Sequence, residues 1–246
     1  MNSKIFSHVI KKLQDTWHLP RHKQIKDSLS ENTKLDDLPW TPARLKKFHS
    51  ALENDFGVKI NQISGTVAEF VDYINEAVLT EFFGQVWKPR TASYTWTGYK
   101  IAEEINKCNP KNVLDVGCGY NQFKELIPNL TGLDPYNNNA DIMLDIADYT
   151  VDPASFDHVI ALGSINFGSK NDIEKRFAKV VELLVPGGRL WMRCNPGIDH
   201  TAGPGKWVEI FPWNFGVAHE LAKKYGLTLK TLKKDHDRLF FLFVKN

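Results

Sequence analysis

Nine residues, Val113 to Asn121 (VLDVGCGYN), constrain the fold more than any other stretch of this chain. Val113 to Val116 read as a short buried strand that carries one carboxylate, Asp115. Gly117 and Gly119 follow at once, so the backbone can turn tightly and pass close to a ligand with no Cβ in the way. Fifteen residues after Gly119 the run LTGLDPY supplies a second short apolar strand that ends in an acid, Asp134. A glycine turn after a first strand, with an acid about 20 residues on, is how open α/β sheets build nucleotide sites, the acid bonding ribose hydroxyls. Here the turn is D-x-G-x-G rather than G-x-G-x-x-G, and Asp115 precedes the glycines.

That variant resembles the first motif of the class I S-adenosylmethionine-dependent methyltransferases. In that family the acid and glycine loop cradles the amino-acid part of the cofactor, which carries an ammonium. The resemblance implies that Asp115 helps place that cation and that Gly117, Cys118 and Gly119 run beneath it. The third glycine of the family is Asn121 here, and Asn tolerates positive φ better than most residues.

The chain around this motif follows the same plan. A helix from Thr97 to Lys107 leads into the first strand. Gln122 to Ile127 has room for a short helix before Pro128. Asp134-Pro135 makes a sharp exit turn, and the spacing from Gly119 favours a ribose-binding carboxylate over a plain turn. Ile142 to Leu144 reads as a third strand. The resemblance places Asp145 on the adenine amino group with Ile146 against the ring; Asp148 competes for the polar role, and a helix cap competes for Asp145. Phe156 to Leu162 is an apolar fourth strand whose carboxyl end opens on the switch-point crevice. Leu162, Gly163 and Ser164 belong to the implied cofactor site; Ser164 and Asn166 either line the transfer pocket or begin the next helix. That helix spans Asn171 to Leu184, and VPGGRLWMRC then gives a Pro-Gly-Gly turn and a fifth strand. A helix capped by Asn214 and stopped by Gly226 leads to two final strands, Leu227 to Leu232 and Arg238 to Val244. The resemblance thus implies a Rossmann-like seven-stranded α/β sheet over residues 97–246.

Asn195 to Trp213 is a long Gly- and Pro-rich segment holding His200, Trp207, Glu209 and Trp213, and it is the expected substrate-facing element. His200 is either a general base or simply an exposed loop histidine. No catalytic residue is assigned, since a neutral nucleophile needs no separate base.

Residues 1–80 have a different character. Ile5, Val9, Ile10 and Leu13 fall at helical spacing from Ser3 to about Trp17, and His18 to Asn32 reads as a loop. Pro42 suits the first turn of a helix capped by Thr41, with Leu45, Phe48, Leu52 and Phe56 inward and Gly57 closing it. Thr66 caps a last helix bearing Val67, Phe70, Val71, Ile74 and Val78. KLDDL, ALENDFGVKI and GTVAEFVDYINEAV resemble the acyl carrier protein family over residues 4 to 78. The family's phosphopantetheine serine, four residues after the Asp-Leu pair, corresponds to Pro42, so no arm is expected. The domain's charge, 13 Lys and Arg against 11 Asp and Glu over residues 1–90, also departs from that acidic family. Either packing or partner docking suits this domain. Between the two domains, residues 81–96 form a connector dense in aromatics; Tyr94, Trp96 and Tyr99 suit a lid or an interface.

Hydrophobic content of 42% and a net charge of +2 fit a globular chain without a marked bias toward nucleic acid or membrane. No run is long and apolar enough to span a bilayer. Three scattered cysteines, Cys108, Cys118 and Cys194, form neither a disulfide framework nor a zinc pattern, so no metal and a reducing, cytoplasmic home are expected. A small-molecule substrate is favoured, with protein or nucleic acid left open. The alternative is a catalytically silent S-adenosylmethionine-binding or scaffolding protein. A nicotinamide enzyme suits the loop less well, because G-x-G-x-x-G is missing.

Overall fold

The computed structural model describes residues 1–88 and 99–246, and they fall into two compact units. Tyr94 and Trp96, and the side chain of Tyr99, lie outside the described residues, and so does the choice between lid and interface posed for them.

The first unit holds Met1–Trp87 together with Asp199–Glu209. Helix α1 (Ser3–Thr16) is capped by Asn2, whose side chain accepts hydrogen bonds from the Lys4 and Ile5 amides. The expected loop after it contains a 3-10 turn, Pro20–His22, and a short helix α2 (Lys23–Ser28). Helix α3 (Pro42–Phe56) starts with Pro42 in its first turn under the Thr41 cap and stops at Gly57, φ 70°. Helix α4 (Val67–Glu81) opens with a reciprocal capping box between Thr66 and Glu69. α1 packs on α3 and α4. Ile5, Val9, Leu13, Phe48, Leu52, Phe56, Phe70 and Ile74 form their buried stripe. These helices are held by burial of their apolar stripes far more than by intrinsic propensity.

The second unit is a mixed six-stranded sheet in the order β2-β1-β3-β4-β6-β5. After α5 (Tyr99–Lys107) come β1 (Val113–Val116), β2 (Leu130–Leu133) and β3 (Phe156–Leu162). α6 (Lys170–Leu183), β4 (Leu184–Cys194), α7 (Phe215–Lys224), β5 (Leu227–Asp235) and β6 (Arg238–Lys245) complete it. β1, β2, β3 and β4 are parallel, and β6 runs antiparallel between β4 and β5. Side chains alternate between the two faces, as strand geometry demands. Val113, Ile160 and Trp191 meet α5 on one face, whereas Leu114, Val159 and Met192 join the core shared with α6 and α7 on the other.

Two local expectations are corrected. The expected third strand of seven, Ile142 to Leu144, is reduced to a single bridge between Ile142 and Leu133; Met143 and Leu144 are exposed and have no core to line. Residues 122–127 form turns and a bend instead of a helix, confined between the left-handed Asn121 and Pro128. The Pro-Gly-Gly stretch is an irregularity inside β4: Phe156 pairs with Leu184, and His158 next pairs with Arg189. The sheet's order reverses about β1, whose chain passes first to β2 on one side and later to β3 on the other. Ligands of open α/β sheets bind at that place, beyond the carboxyl ends of the strands.

Candidate active site

At the end of β1 the chain folds back onto the end of β2. The amides of Gly117 and Cys118 both donate to the Leu133 carbonyl, at 2.6 and 3.1 Å. The Gly119 amide donates to Asp134 Oδ2 at 2.9 Å. Gly117 must be glycine on two counts. Its φ is 68°, and a Cβ there would collide with the Ser164 side chain arriving from the end of β3. Gly119 and Asn121 are also left-handed, at φ 53° and 55°, so Asn121 takes the conformation expected of the family's third glycine. The Asn121 side chain lies so close to Gly132 that a Cβ on Gly132 would strike it.

Asp115 lies beneath this loop, 3% exposed. Burial, and secondly the charge of Asp134, push its pKa up to about 7. Its carboxylate accepts no hydrogen bond from the described residues. Buried carboxylates are ordinarily hydrogen-bonded or paired with a cation, so an unpartnered one calls for an explanation. The Ser164 hydroxyl, pressed against Gly117, is likewise buried without a hydrogen-bond partner among the described residues. Cys118, between the two glycines, has its thiol pushed up by burial and then by the acids around it, so it is held as the neutral thiol.

Asp134 has a structural task of its own. Besides Gly119 it accepts from the amides of Tyr136 at 2.8 Å and Asn137 at 3.0 Å, which closes the Asp-Pro turn through Pro135. Three of about four acceptor positions on the carboxylate are thereby taken. Asp141 braces the same corner and was not anticipated. It accepts from the Gly132 amide at 2.7 Å and from Lys124 Nζ at 2.8 Å, and these bonds and that charge outweigh burial to hold its pKa below the usual range.

Asp145 is engaged differently. Its Oδ1 accepts from the Ala147 amide at 2.8 Å, capping the turn Ile146–Asp148. Arg176 of α6 reaches both oxygens: Nε lies 3.1 and 2.8 Å from them and Nη2 lies 2.8 Å from Oδ2. Arg176 Nη1 also donates to the Phe167 carbonyl at 2.7 Å. Three N–H donors thus occupy Asp145, the Arg176 Nε–H being shared between its two oxygens, and Ile146 is buried in the core of the second unit. Asp148 is exposed, with Lys175 as its partner at 3.6 Å.

Past Leu162, Gly163 turns the chain with φ 102°. The exits of β3 and β4 are then stitched together. Asn166 Oδ1 accepts from the Asn195 amide at 3.0 Å, and the Asn166 carbonyl accepts from the Phe211 amide at 2.8 Å. Trp213 Nε1 donates to the Ile165 carbonyl at 2.8 Å. The Asn195 side chain accepts from the amides of Gly197 and Ile198.

The segment expected to face substrate is divided. Its two ends belong to the second unit, whereas Asp199–Glu209 packs in the helical one. There the Trp207 ring meets His8 and Phe56, each at 4.7 Å between centroids, and its Nε1 donates to the Asp55 carbonyl at 2.9 Å. His200 lies against Phe82, with ring centroids 4.8 Å apart. Thus Asp115, Gly117, Gly119, Asp134 and Ser164 come together, while His200 and Trp207 are in the other unit. No signal in the sequence pairs Asp145 with Arg176, 31 residues away. Among the described residues no group of three or more His, Cys, Asp or Glu is placed to hold a metal ion. No described helix is long and apolar enough to cross a membrane.

No protein-family model matches the sequence, and no curated protein matches it. Solved structures do match the fold. One is the 1,6-didemethyltoxoflavin-N1-methyltransferase of Burkholderia thailandensis, determined with 1,6-didemethyltoxoflavin and S-adenosylhomocysteine bound. It is 14% identical, with a TM-score of 0.53 over 76% of this chain and 93% of that one. A protein of Pyrococcus horikoshii OT3 is 16% identical, with a TM-score of 0.52 over 68% of this chain and 96% of the other. At these identities the likeness is one of fold: the chain has the α/β fold of class I methyltransferases, here with a mixed six-stranded sheet.

Proposed function

We propose that this chain is an S-adenosylmethionine-dependent methyltransferase. The observation that carries the reading is Asp115: a buried carboxylate without a hydrogen-bonded partner, beneath a glycine loop, at the switch point of the sheet. An ammonium beside it would supply the missing partner, and S-adenosylmethionine carries one. When bound, that cofactor supplies a methyl group made electrophilic by the sulfonium. Gly117 to Gly119 would lie along its amino-acid part, and Asp134 keeps one acceptor position for a ribose hydroxyl. Leu162 to Ser164 would form the wall facing the loop. Asp145, bonded by Arg176 and Ala147, would offer the adenine amino group at most its remaining acceptor position. The rest of the protein's contribution is alignment of the acceptor and exclusion of water, so no general base is assigned.

A small molecule is the favoured acceptor. The Burkholderia enzyme that shares the fold is described with 1,6-didemethyltoxoflavin bound, which supports this choice. The helical unit fits a carrier-like bundle without its arm. Pro42 stands in the first turn of α3, and the Thr41 hydroxyl beside it accepts from the Arg44 amide at 3.3 Å as the helix cap. Incubation with a promiscuous phosphopantetheinyl transferase should leave the intact mass unchanged; a gain of one arm would overturn this reading of Pro42. The three free thiols are compatible with a reducing compartment such as the cytoplasm.

Calorimetric titration with S-adenosylhomocysteine tests the main reading. Wild-type protein should bind, and Asp134→Ala should bind about tenfold more weakly, as expected when a carboxylate that organises a loop is lost. Folded wild-type protein that does not bind would leave a scaffold with a methyltransferase fold.

A further inference from the structure

The helical unit carries a cationic cluster that none of this chemistry uses. Trp17, fully buried at the end of α1, lies under the Arg44 guanidinium, 4.4 Å from the ring centroid. His22 meets the same ring edge-on at 5.2 Å, and Trp40 packs beside it at 5.4 Å. Trp17 Nε1 and His22 Nδ1 are both buried without a hydrogen-bond partner. Burial, and then the charges of Arg44, Arg21 and His18, hold the His22 pKa below its ordinary value, so the fixed positive charge here is that of Arg21 and Arg44.

Three features show that the chain does not compensate this charge. First, α3 has no acid in its first turn and instead places Arg44 there, followed by Lys46 and Lys47. The helix's positive end favours carboxylates, and a cation at that end forgoes about 0.3–1 kcal/mol. Second, residues 18–47 hold seven Lys and Arg against four Asp and Glu. Not one of the seven has an ion-pair partner within 4 Å among the described residues, whereas Lys4 and Lys12 on α1 are paired with Asp199 and Asp55. Third, Leu19 stands 37% exposed in the turn between Trp17 and Arg21.

We propose that this face of the helical unit, centred on Arg21, His22 and Arg44 around Leu19, is the docking surface for an acidic protein partner. Carboxylates of the partner lie over the arginines and one of its apolar side chains covers Leu19. The pattern is a small apolar centre inside a charged rim, as protein interfaces have. Nucleic acid fits less well, because the aromatics that would stack on bases face inward: Trp17 is fully buried, and Trp40 is packed against Phe48 and tied through its Nε1 to the Leu35 carbonyl. A lipid surface needs a broad apolar face, and Leu19 is a single residue.

The test uses the full chain and a fluorescein-labelled 20-residue peptide of Glu and Leu at helical spacing, followed by anisotropy. The wild type should bind, and raising salt from about 50 to about 300 mM should weaken binding about tenfold or more, since the attraction acts across solvent. The pair Arg21→Glu and Arg44→Glu should weaken it at least about tenfold, and Leu19→Ser about threefold. Lys230→Glu, an exposed cation of the second unit, should leave it unchanged, and S-adenosylhomocysteine affinity should be the same in every variant. If the Glu pair does not fold, Arg21→Gln with Arg44→Gln should still weaken peptide binding measurably. The proposal is overturned if the charge variants bind the peptide as the wild type does, or if Lys230→Glu weakens it equally. It is also overturned if poly(U) RNA or phosphatidylserine vesicles bind the wild type more tightly than the peptide and lose affinity in the same variants.

Discussion

Two carboxylates at the carboxyl end of this sheet have opposite surroundings. Asp145 is capped by an amide and gripped by Arg176, so its charge is neutralised within the protein. Asp115 is more deeply buried, has a second acid for its charged neighbour, and is unpaired among the described residues. A fold that needed only stability would treat both alike, because an uncompensated buried charge is among the costliest features a core can hold. The difference separates scaffold from site. Asp145 ties the turn Ile146–Asp148 to α6 through Arg176, whereas Asp115 has no cation beside it among the described residues.

Asp115→Asn is the sharpest way to break that comparison. The amide keeps the shape and removes the charge, so S-adenosylhomocysteine affinity should fall about 100-fold or more, the loss expected when one partner of a buried ion pair is deleted. The folded protein without ligand should become more stable at pH 8. Because the Asp115 pKa is raised to about 7, the folded state binds a proton more tightly than the unfolded chain does. Its contribution to stability is therefore fully present below about pH 4 and lost as pH rises through about 7, a swing on the order of 4 kcal/mol. Denaturant titrations across that window should show this slope in the wild type and lose it in Asp115→Asn. Ligand affinity should run the other way, weakening as pH falls through about 7 and the carboxylate takes up a proton.

Gly117→Ala probes the same corner by volume instead of charge. The new methyl meets the Ser164 side chain at a left-handed φ, so cofactor affinity should fall about tenfold and thermal unfolding should move down with it, by about 1–3 kcal/mol. Adding Ser164→Gly should recover part of the loss by relieving the collision, leaving the backbone strain. A single variant that matches wild type in both measurements would contradict the close approach of loop and strand.

Arg176→Gln should have the smallest effect and sharpens the contrast from the other side. Both members of that pair are about a quarter exposed, so stability should fall by only about 1 kcal/mol, read by thermal unfolding. Affinity for S-adenosylhomocysteine should stay within about threefold, because the residue braces the wall without touching the acidic corner. A loss as large as that of Asp115→Asn would mean that Asp145 and Asp115 are not different in kind.

Much of this architecture was legible in the sequence because it rests on local chemistry. Thr41, Thr66 and Asn214 cap their helices where a side-chain acceptor precedes an apolar period, and Gly57 and Gly226 end helices with positive φ. The glycine loop was readable for the same reason: a turn of that sharpness admits few residue types. Ile142 to Leu144 was not, since an apolar triplet carries no information about whether a neighbour will cover it. Arg176 was equally silent, because its bond to Asp145 depends on where α6 lies over the sheet.

The sequence by itself determined the glycine turn and the helix caps, and from these the kind of site the chain would build, since each depends on residues within a few positions of one another. Only the tertiary structure decided that Asp115 lacks a partner among the described residues and that Asp145 has one. It alone decided that Ser164 closes on Gly117 and that Asp199–Glu209 packs with the helices instead of the sheet. Those outcomes are set by which distant groups become buried together, and desolvation and Coulomb forces act through space without regard to distance along the chain.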